Sequence, residues 1–112
     1  LNTSMVFSVR TDQKRALFVY AHDQFDNFLQ VHLENEYKIV LTLNNGTKVV
    51  NCAIYSEDST EFSNMRWLQI LIEQTSERIS LHVDDAVCEL TGPHVLADSI
   101  IEFYTGESGG CY

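Results

Sequence analysis

The amino-acid sequence predicts an all-β fold, an antiparallel β-sandwich, from three observations. Apolar and polar residues alternate along most of the chain, as they do in strands that bury one face of a sheet. Breaks rich in turn-forming residues separate these runs at short, regular intervals, which is typical of antiparallel hairpins. No ten-residue window has the three-four apolar spacing of an amphipathic helix, so no helical crossover between parallel strands is predicted.

Five alternating runs mark half-buried strands, in which every second side chain faces the same side of a sheet. In chain order they are Met5, Phe7 and Val9; Leu29, Val31 and Leu33; Tyr37, Ile39, Leu41 and Leu43; Leu68, Ile70 and Ile72; and Ile79, Leu81 and Val83. Two further runs, ALFVYA at 16–21 and SIIEFY at 99–104, are almost continuously apolar, and we expect them to be central strands covered on both faces. Roughly eight or nine strands without helices leave a sandwich, a jelly roll or a barrel, and the doubly covered strands favour the sandwich.

The clearest hairpin turn is predicted at Asn45-Gly46, between two alternating runs. A two-residue type I′ turn needs positive φ at both central positions, and Asn followed by Gly tolerates that conformation best. Residues 75–77 and the pair Asp84-Asp85 are weaker turn signals of the same kind. We therefore expect antiparallel hairpins at all three places.

The composition fits a single acidic domain. A chain of 112 residues with 45% hydrophobic content is long enough to bury one core. Seven basic against sixteen acidic side chains give a formal charge of −9, and the basic residues are scattered, which argues against nucleic acid and heparin as partners. The sequence has no run of eighteen apolar residues, so direct insertion into a membrane is not predicted. The acidic surplus is compatible with divalent cations or with basic protein partners.

The cysteines and the glycosylation sequons bear on the cellular compartment. Cys52, Cys88 and Cys111 have no Cys-x-x-Cys spacing, which leaves two interpretations: disulfides, with the odd cysteine pairing outside the chain, or buried free thiols. Cys52 and Cys88 fall on predicted strands and could cross-link if their Cα atoms lie roughly 4.4 to 6.8 Å apart. Asn2 and Asn45 begin Asn-x-Ser/Thr sequons, which become glycan acceptors if the chain enters the secretory route.

Five segments, in order, resemble the laminin G-like domain, the jelly-roll β-sandwich module of laminins, neurexins, Crumbs-type receptors and large cadherins. They are Val6-Phe7-Ser8-Val9-Arg10-Thr11, Ala16-Leu17-Phe18-Val19-Tyr20, Asn27-Phe28-Leu29-Gln30-Val31-His32-Leu33, Trp67-Leu68-Gln69-Ile70 and Ser80-Leu81-His82-Val83-Asp84. The resemblance covers roughly residues 4 to 105. It departs from the family pattern where Leu68 replaces the His that follows the family's Trp.

The resemblance implies a single laminin G-like domain over residues 1–112, either a fragment that lacks the family's first and last strands or a compact member. It also implies an extracellular or cell-surface location, in an adhesion, matrix or receptor protein that binds a protein or glycan through loops at the rim of the sandwich. One alternative is a calcium-independent structural spacer or a domain that makes homophilic contacts. Another is a glycan-acting enzyme.

The resemblance further implies a calcium site at that rim, because many members of the family hold Ca²⁺ there with side-chain and carbonyl oxygens. Carried over residue by residue, the first side-chain ligand falls on Asn27, with Asp26 beside it, and a carbonyl ligand falls near Asn45. The second side chain falls near Ala97 or Asp98. The alternative is that Asp23, Asp26 and Asn27 form a polar turn whose side chains bond their own backbone.

Two further groups of residues allow a functional and a structural interpretation. Trp67 could stack on a ligand, but it lies in an apolar run, which favours a role as a large anchor of the core. Catalysis would need paired carboxylates such as Glu34 and Glu36, or a Cys-His pair. The candidates for such a pair are Cys52, Cys88, His22, His32, His82 and His94. No catalytic motif brings these residues together in the sequence, so no enzymatic activity is predicted.

Overall fold

The computed structural model describes residues 3–22, 25, 27–44, 46, 48–75, 77–91 and 100–102. Nine β-strands and no helix occur within these ranges. The strands are β1 (Thr3–Val9), β2 (Ala16–His22), β3 (Phe28–Asn35), β4 (Lys38–Asn44), β5 (Val49–Tyr55), β6 (Leu68–Gln74), β7 (Arg78–Val83), β8 (Ala86–Thr91) and β9 (Ile100–Glu102). Accordingly, none of the described segments forms a helix that is long and apolar enough to cross a bilayer.

The strands form two antiparallel sheets, as the alternation predicts. One sheet has the order β1-β6-β7-β8 and the other has the order β5-β4-β3-β2-β9. Strands that follow each other in the chain pair in both sheets: β2 to β5 in the second sheet and β6 to β8 in the first. Strand β1 pairs with the distant β6. The predicted sandwich is therefore confirmed.

The core lies between the two sheets and is built by the predicted inward-facing residues. Leu29, Val31 and Leu33 of β3 are each at most 3% exposed, while the alternate residues of that strand are not buried. The same alternation holds in β6, where the inward residues are buried and Gln69 and Glu73 are exposed. Burial of such aliphatic side chains is worth about 1.5 to 3 kcal/mol each, so the matched inner faces hold the sheets together.

Strand β2 departs from simple alternation because it contains a β-bulge. Phe18 and Val19 are adjacent in sequence and both are fully buried. The register with β3 shifts between Leu17 and Val19, so one extra residue is accommodated on the β2 side. The apolar run at 16–21 thus reflects a bulge as well as a strand inside the sheet. The run at 99–104 was expected to be central, but β9 stands at the end of the sheet order in the described part of the chain.

The turns follow the predicted positions but not all of the predicted lengths. Val83 pairs with Ala86, which leaves Asp84-Asp85 as a two-residue turn, with Asp84 at φ 52°. The predicted two-residue turn at Asn45-Gly46 is wrong, because Asn44 pairs with Val49 and the connection has four residues, 45–48. Gly46 nevertheless has the positive φ that was expected of it, 92°. The longer connection follows from the register of β4 and β5, which local turn chemistry alone does not determine.

A disulfide between Cys52 and Cys88 joins the two sheets at one side of the sandwich. Cys52 lies on β5 and Cys88 on β8, which are the terminal strands of their sheets. The two Cα atoms are 6.1 Å apart, within the range that a disulfide spans. Of the two interpretations of the cysteines, the disulfide is confirmed for this pair, while Cys111 lies outside the described residues.

Candidate functional site

The connections β2–β3 and β4–β5 lie at the same end of the five-stranded sheet. The register aligns His22 with Phe28, Phe28 with Asn44, and Asn44 with Val49 in one row across four strands. We call this end of the sheet, with the connections 23–27 and 45–48, the rim. The predicted site residues Asp26, Asn27 and Asn45 all fall in these two connections.

Asn27 and Gly46 bring the two connections of the rim into contact. A Cβ atom built on Gly46 would lie 2.9 Å from Oδ1 of Asn27, closer than a side chain tolerates. The backbone N–H of Gly46 donates a hydrogen bond of 2.9 Å to Oδ1 of Asn44, which fixes the start of the β4–β5 connection. Glycine is therefore favoured at position 46 by its positive φ, and a side chain there would also force the Asn27 amide to shift.

The predicted calcium ligands are only partly within the described residues. Asn27 is at the rim, and its amide oxygen is a ligand type that Ca²⁺ accepts. Asp26, Asn45 and Asp98 lie outside the described residues, as does the sequon at Asn2. Within the described ranges, no three His, Cys, Asp or Glu side chains are grouped so that they could hold a metal ion. What the structure contributes is the position of the Asn27 amide oxygen, which lies beside Gly46 of the neighbouring connection.

Aromatic side chains border the rim on the face of the sheet that points away from the core. The rings of Tyr20 and Phe28 are stacked with centroids 5.8 Å apart, and the ring of His22 lies 5.6 Å from that of Tyr20. Phe25, in the β2–β3 connection, is 65% exposed. The sequence analysis named His22 only as a catalytic candidate, and Tyr20 and Phe28 only within segments of the family resemblance. Phe28 precedes the inward-facing Leu29 and so belongs to the outer face. Phe25 is the exposed member of this group, and the other three rings are half-buried. Aromatic side chains are enriched at protein interfaces.

The opposite end of the sandwich is closed by polar contacts. Asp84 accepts a hydrogen bond of 3.1 Å from the backbone N–H of Gln69, and the Asp84 N–H donates to the Gln69 carbonyl at 3.0 Å. Asp58 accepts from the Thr60 N–H at 3.1 Å, and hydrogen bonds from Thr60 lower the pKa of that carboxyl group. A cleft of about 430 Å³ separates these two connections. Two of its acidic side chains, Asp58 and Asp84, are thus engaged in holding turns.

Trp67 is not an anchor of the core, contrary to the sequence interpretation. Its side chain is 58% exposed, and it precedes β6 on the side opposite to the inward-facing Leu68. The guanidinium carbon of Arg10 lies 4.6 Å from the centroid of the indole ring, a cation–π contact worth about 0.5 to 1 kcal/mol at an exposed site. Trp67 is therefore a surface residue at the start of β6, while Leu68 and Ile70 of the same resemblance segment belong to the core.

The described candidates for catalysis do not form a catalytic arrangement. Cys52 and Cys88 are joined to each other, so neither supplies a thiolate nucleophile. Glu34 pairs with Lys38 at 2.9 Å, and the hydrogen bond from Lys38 lowers the pKa of Glu34, which is the wrong direction for a general acid.

Another potential catalytic arrangement lies on β6 and β7. Both the Ser80 hydroxyl, at 3.3 Å, and the Glu73 carboxylate, at 3.2 Å, contact Nε2 of His82. A nucleophile–base–carboxylate relay uses the two ring nitrogens separately. This trio therefore has the residue types of such a relay without its geometry.

Comparison with known proteins gives a consistent result. The family model described as "Laminin G domain" matches residues 9–106 of the chain. Among solved structures, the chain is similar to the mouse laminin alpha1 chain, domains LG4-5, with a TM-score of 0.71 and 15% identity over 84% of this chain and 25% of that chain. It is also similar to the LG1-3 region of the laminin alpha2 chain, with a TM-score of 0.63 and 14% identity over 89% of this chain and 22% of that one. The chain spans about a quarter of the length of these two structures, and identities this low speak for the fold alone.

Proposed function

The chain belongs to the laminin G domain family, whose members are generally non-enzymatic modules of extracellular matrix and adhesion proteins, and on that premise we propose that it is an extracellular binding module that recognises a protein or glycan ligand through its rim. The ligand-binding part of this proposal is carried by one observation, the convergence of the β2–β3 and β4–β5 connections at Asn27 and Gly46. Loops held together at the end of a rigid sandwich are a common place for recognition, because the sheets position them without themselves being altered.

Exposed aromatic groups next to these loops support the rim as the binding surface. Phe25 presents most of its side chain to solvent, and the stacked rings of Tyr20 and Phe28 lie on the outer face of the sheet. Binding energy in protein interfaces concentrates on a few such aromatic side chains. Val49, at the β5 end of the row that runs along the rim, is 57% exposed as well.

Calcium is part of the proposal, with the oxygen atoms of Asp26, Asn27, Asn45 and Asp98 as the ligands. When bound, the ion supplies a positive charge at the edge of a domain whose formal charge is −9, and it rigidifies the connections that contact the partner. Asn27 contributes a neutral ligand where the family pattern has a carboxylate. This site should therefore bind calcium more weakly than one with an additional charge.

Glycosylation of Asn2 and Asn45 is a further part of the proposal and fits an extracellular location. The Cys52–Cys88 disulfide supports that location as well, because such bonds persist in oxidising compartments. A glycan on Asn45 would cover part of the rim, since its neighbour Gly46 contacts Asn27. Calcium-dependent recognition at the rim and use of the Asn45 sequon are thus in competition.

Thermal unfolding with and without Ca²⁺ tests the metal part of the proposal. A specific ion at one hundred times its dissociation constant stabilises the native state by about 2.7 kcal/mol. We expect the wild-type midpoint to rise with Ca²⁺ and the rise to be lost in Asn27→Ala and Asp98→Ala. Asp85→Ala is the matched control, because it removes an exposed carboxylate at the opposite end of the sandwich. An unchanged wild-type midpoint would contradict calcium binding and favour a calcium-independent spacer.

A further inference from the structure

The outer face of the five-stranded sheet, away from the core, carries a row of neutral hydrogen-bonding side chains. Tyr20 is aligned with Gln30, Gln30 with Thr42, and Thr42 with Asn51 across β2, β3, β4 and β5. None of the four is buried. Each carries a hydroxyl or amide group that both donates and accepts hydrogen bonds, and together they form a polar track perpendicular to the strands.

An open pocket of about 500 Å³ lies beside this track, lined by Arg15, Ala16, Leu17, Gln30, His32 and Leu33. The β2 bulge provides the space. Leu17 is aligned with His32 and Tyr20 with Gln30. The chain thus advances three residues along β2 where it advances two along β3. Because Phe18 and Val19 both point into the core, no β2 side chain covers the outer face between Leu17 and Tyr20. Bulges often accompany binding sites for this reason, and the volume is in the range of small-ligand pockets.

Gln30 and His32 give the pocket an ordered polar wall. The amide Nε2 of Gln30 donates to Nδ1 of His32 at 3.2 Å, which leaves the ring proton on Nε2 in the neutral imidazole. Burial lowers the pKa of His32, Glu34 opposes that effect, and the positive charges of Arg15 and Lys38 lower the pKa further. The wall of the pocket therefore carries the Nε2 donor of a neutral ring, which lies 4.0 Å from Oε1 of Glu34, and the amide oxygen of Gln30, an acceptor.

Arg15 supplies a positive charge at the mouth of the pocket. Two nearby lysines already have carboxylate partners, since Lys38 pairs with Glu34 at 2.9 Å and Lys14 lies 4.0 Å from Glu36. Arg15 itself forms no ion pair with a carboxylate among the residues that the structure describes. The charge of Arg15 helps to lower the pKa of the nearby Glu34 carboxyl group, but that carboxylate is already paired with Lys38. On a domain of formal charge −9, the guanidinium of Arg15 beside the pocket is therefore complementary to a single carboxylate.

From this arrangement we propose that the outer face binds a glycan whose end unit is a sugar carrying one carboxylate. Arg15 pairs with the carboxylate, Gln30 and His32 bond the hydroxyl groups of the same ring, and the following sugars lie along the track of Tyr20, Gln30, Thr42 and Asn51. The stacked ring of Tyr20 offers an apolar surface to a sugar face. A peptide is less well matched, because extended peptides bind to open sheet edges through backbone hydrogen bonds and not to a sheet face.

The proposal is tested by NMR titration of the full chain with three probes: α2,3-sialyllactose, a disaccharide ending in glucuronic acid, and lactose. We expect saturable shifts of the Leu17, Gln30 and His32 signals with an acidic sugar, at a dissociation constant on the order of 1 mM. Binding of lactose should be about tenfold weaker, because it lacks the charge-assisted hydrogen bond. The acidic probe that binds more tightly identifies whether the carboxylate belongs to a sialic acid or a uronic acid.

Two variants at adjacent positions separate a specific contact from a general charge effect. Arg15→Gln should weaken binding of the better acidic probe about tenfold, whereas Lys14→Gln, which removes the same charge one residue away, should leave it within twofold. Equal losses in both variants, equal binding of lactose, or no saturable shift with either acidic sugar would overturn the proposal. Shifts confined to Asn27, Gly46 and their neighbours would also overturn it, while supporting recognition at the rim, so the two proposals fail separately.

Discussion

Loss of the Cys52–Cys88 disulfide should destabilise the sandwich by an amount set by the loop that it closes. The two cysteines are 36 residues apart in sequence, and closing a loop of that length restricts the unfolded chain by about 4 kcal/mol at 25 °C in the chain-entropy description. The unfolding entropy of a chain of 112 residues, at about 2.1 cal/mol/K per residue, is about 240 cal/mol/K. The midpoint of thermal unfolding should therefore fall by about 16 °C.

The measurement compares Cys52→Ala/Cys88→Ala with the parent, both carrying Cys111→Ser so that no third thiol can exchange. Urea unfolding gives the free energy, and calorimetry gives the midpoint. Val87→Ala is the control, because it shortens an exposed side chain of the same strand β8 without touching the cross-link. Reduction of the parent should reproduce most of the loss, which separates cross-linking from the packing of the two sulfur atoms. A loss below about 1 kcal/mol would refute the entropic argument.

Three further predictions concern the rim, the far end and the sheet face. Gly46→Ala should lower the free energy of unfolding in urea by about 1 to 2 kcal/mol, since φ is 92° and the new Cβ would meet Oδ1 of Asn27. Adding Asn27→Ala should recover only the part of this loss that is due to the steric contact. Full recovery would contradict backbone strain at position 46. Asp84→Ala should cost about 2 kcal/mol through loss of the hydrogen bond from Gln69 and the positive φ, whereas Asp84→Asn should cost less than about 1 kcal/mol. The lowered pKa of His32 means that the unfolded chain binds the proton more tightly than the folded chain does. The stabilisation by the neutral ring is therefore present above pH 6.5 and is lost as the pH falls through the folded-state pKa. NMR titration should place the midpoint of His32 below 6.5, and a midpoint above that value would contradict this.

Strand identity and facing were predictable because side chains alternate with a period of two whatever the tertiary contacts are. The residues Leu68, Ile70 and Ile72 face inward as that rule requires. The error at Trp67 came from giving the size of the indole priority over its phase. Trp67 is adjacent to the inward-facing Leu68, so the alternation that located the core places Trp67 on the opposite side of the sheet. The same rule places Phe28 on the outer face, since it stands one place before Leu29.

Features that depend on contacts between distant segments were not predictable from local sequence. The bulge at Leu17 to Val19 arises from the pairing of β2 with β3, and the same sequence would read as an ordinary buried strand. The pairing of Cys52 with Cys88 across the sandwich requires β5 and β8 to end the two sheets on the same side. The approach of Asn27 to Gly46 likewise follows from the register of four strands. The candidate site was thus predicted as a set of residue types, while its geometry came from the fold.

Mapping Ca²⁺ binding by backbone NMR tests the central claim, recognition at the rim, most directly. Each amide reports its own environment, so a titration of the isotope-labelled chain with Ca²⁺ shows where the ion binds as well as whether it binds. The account predicts saturable shifts at Asn27, Gly46 and their neighbours in both connections, with the amides of Asp84 and Gln69 at the far end unchanged. No saturable shift at the rim, or shifts centred on the acidic turns of the far end, would contradict it.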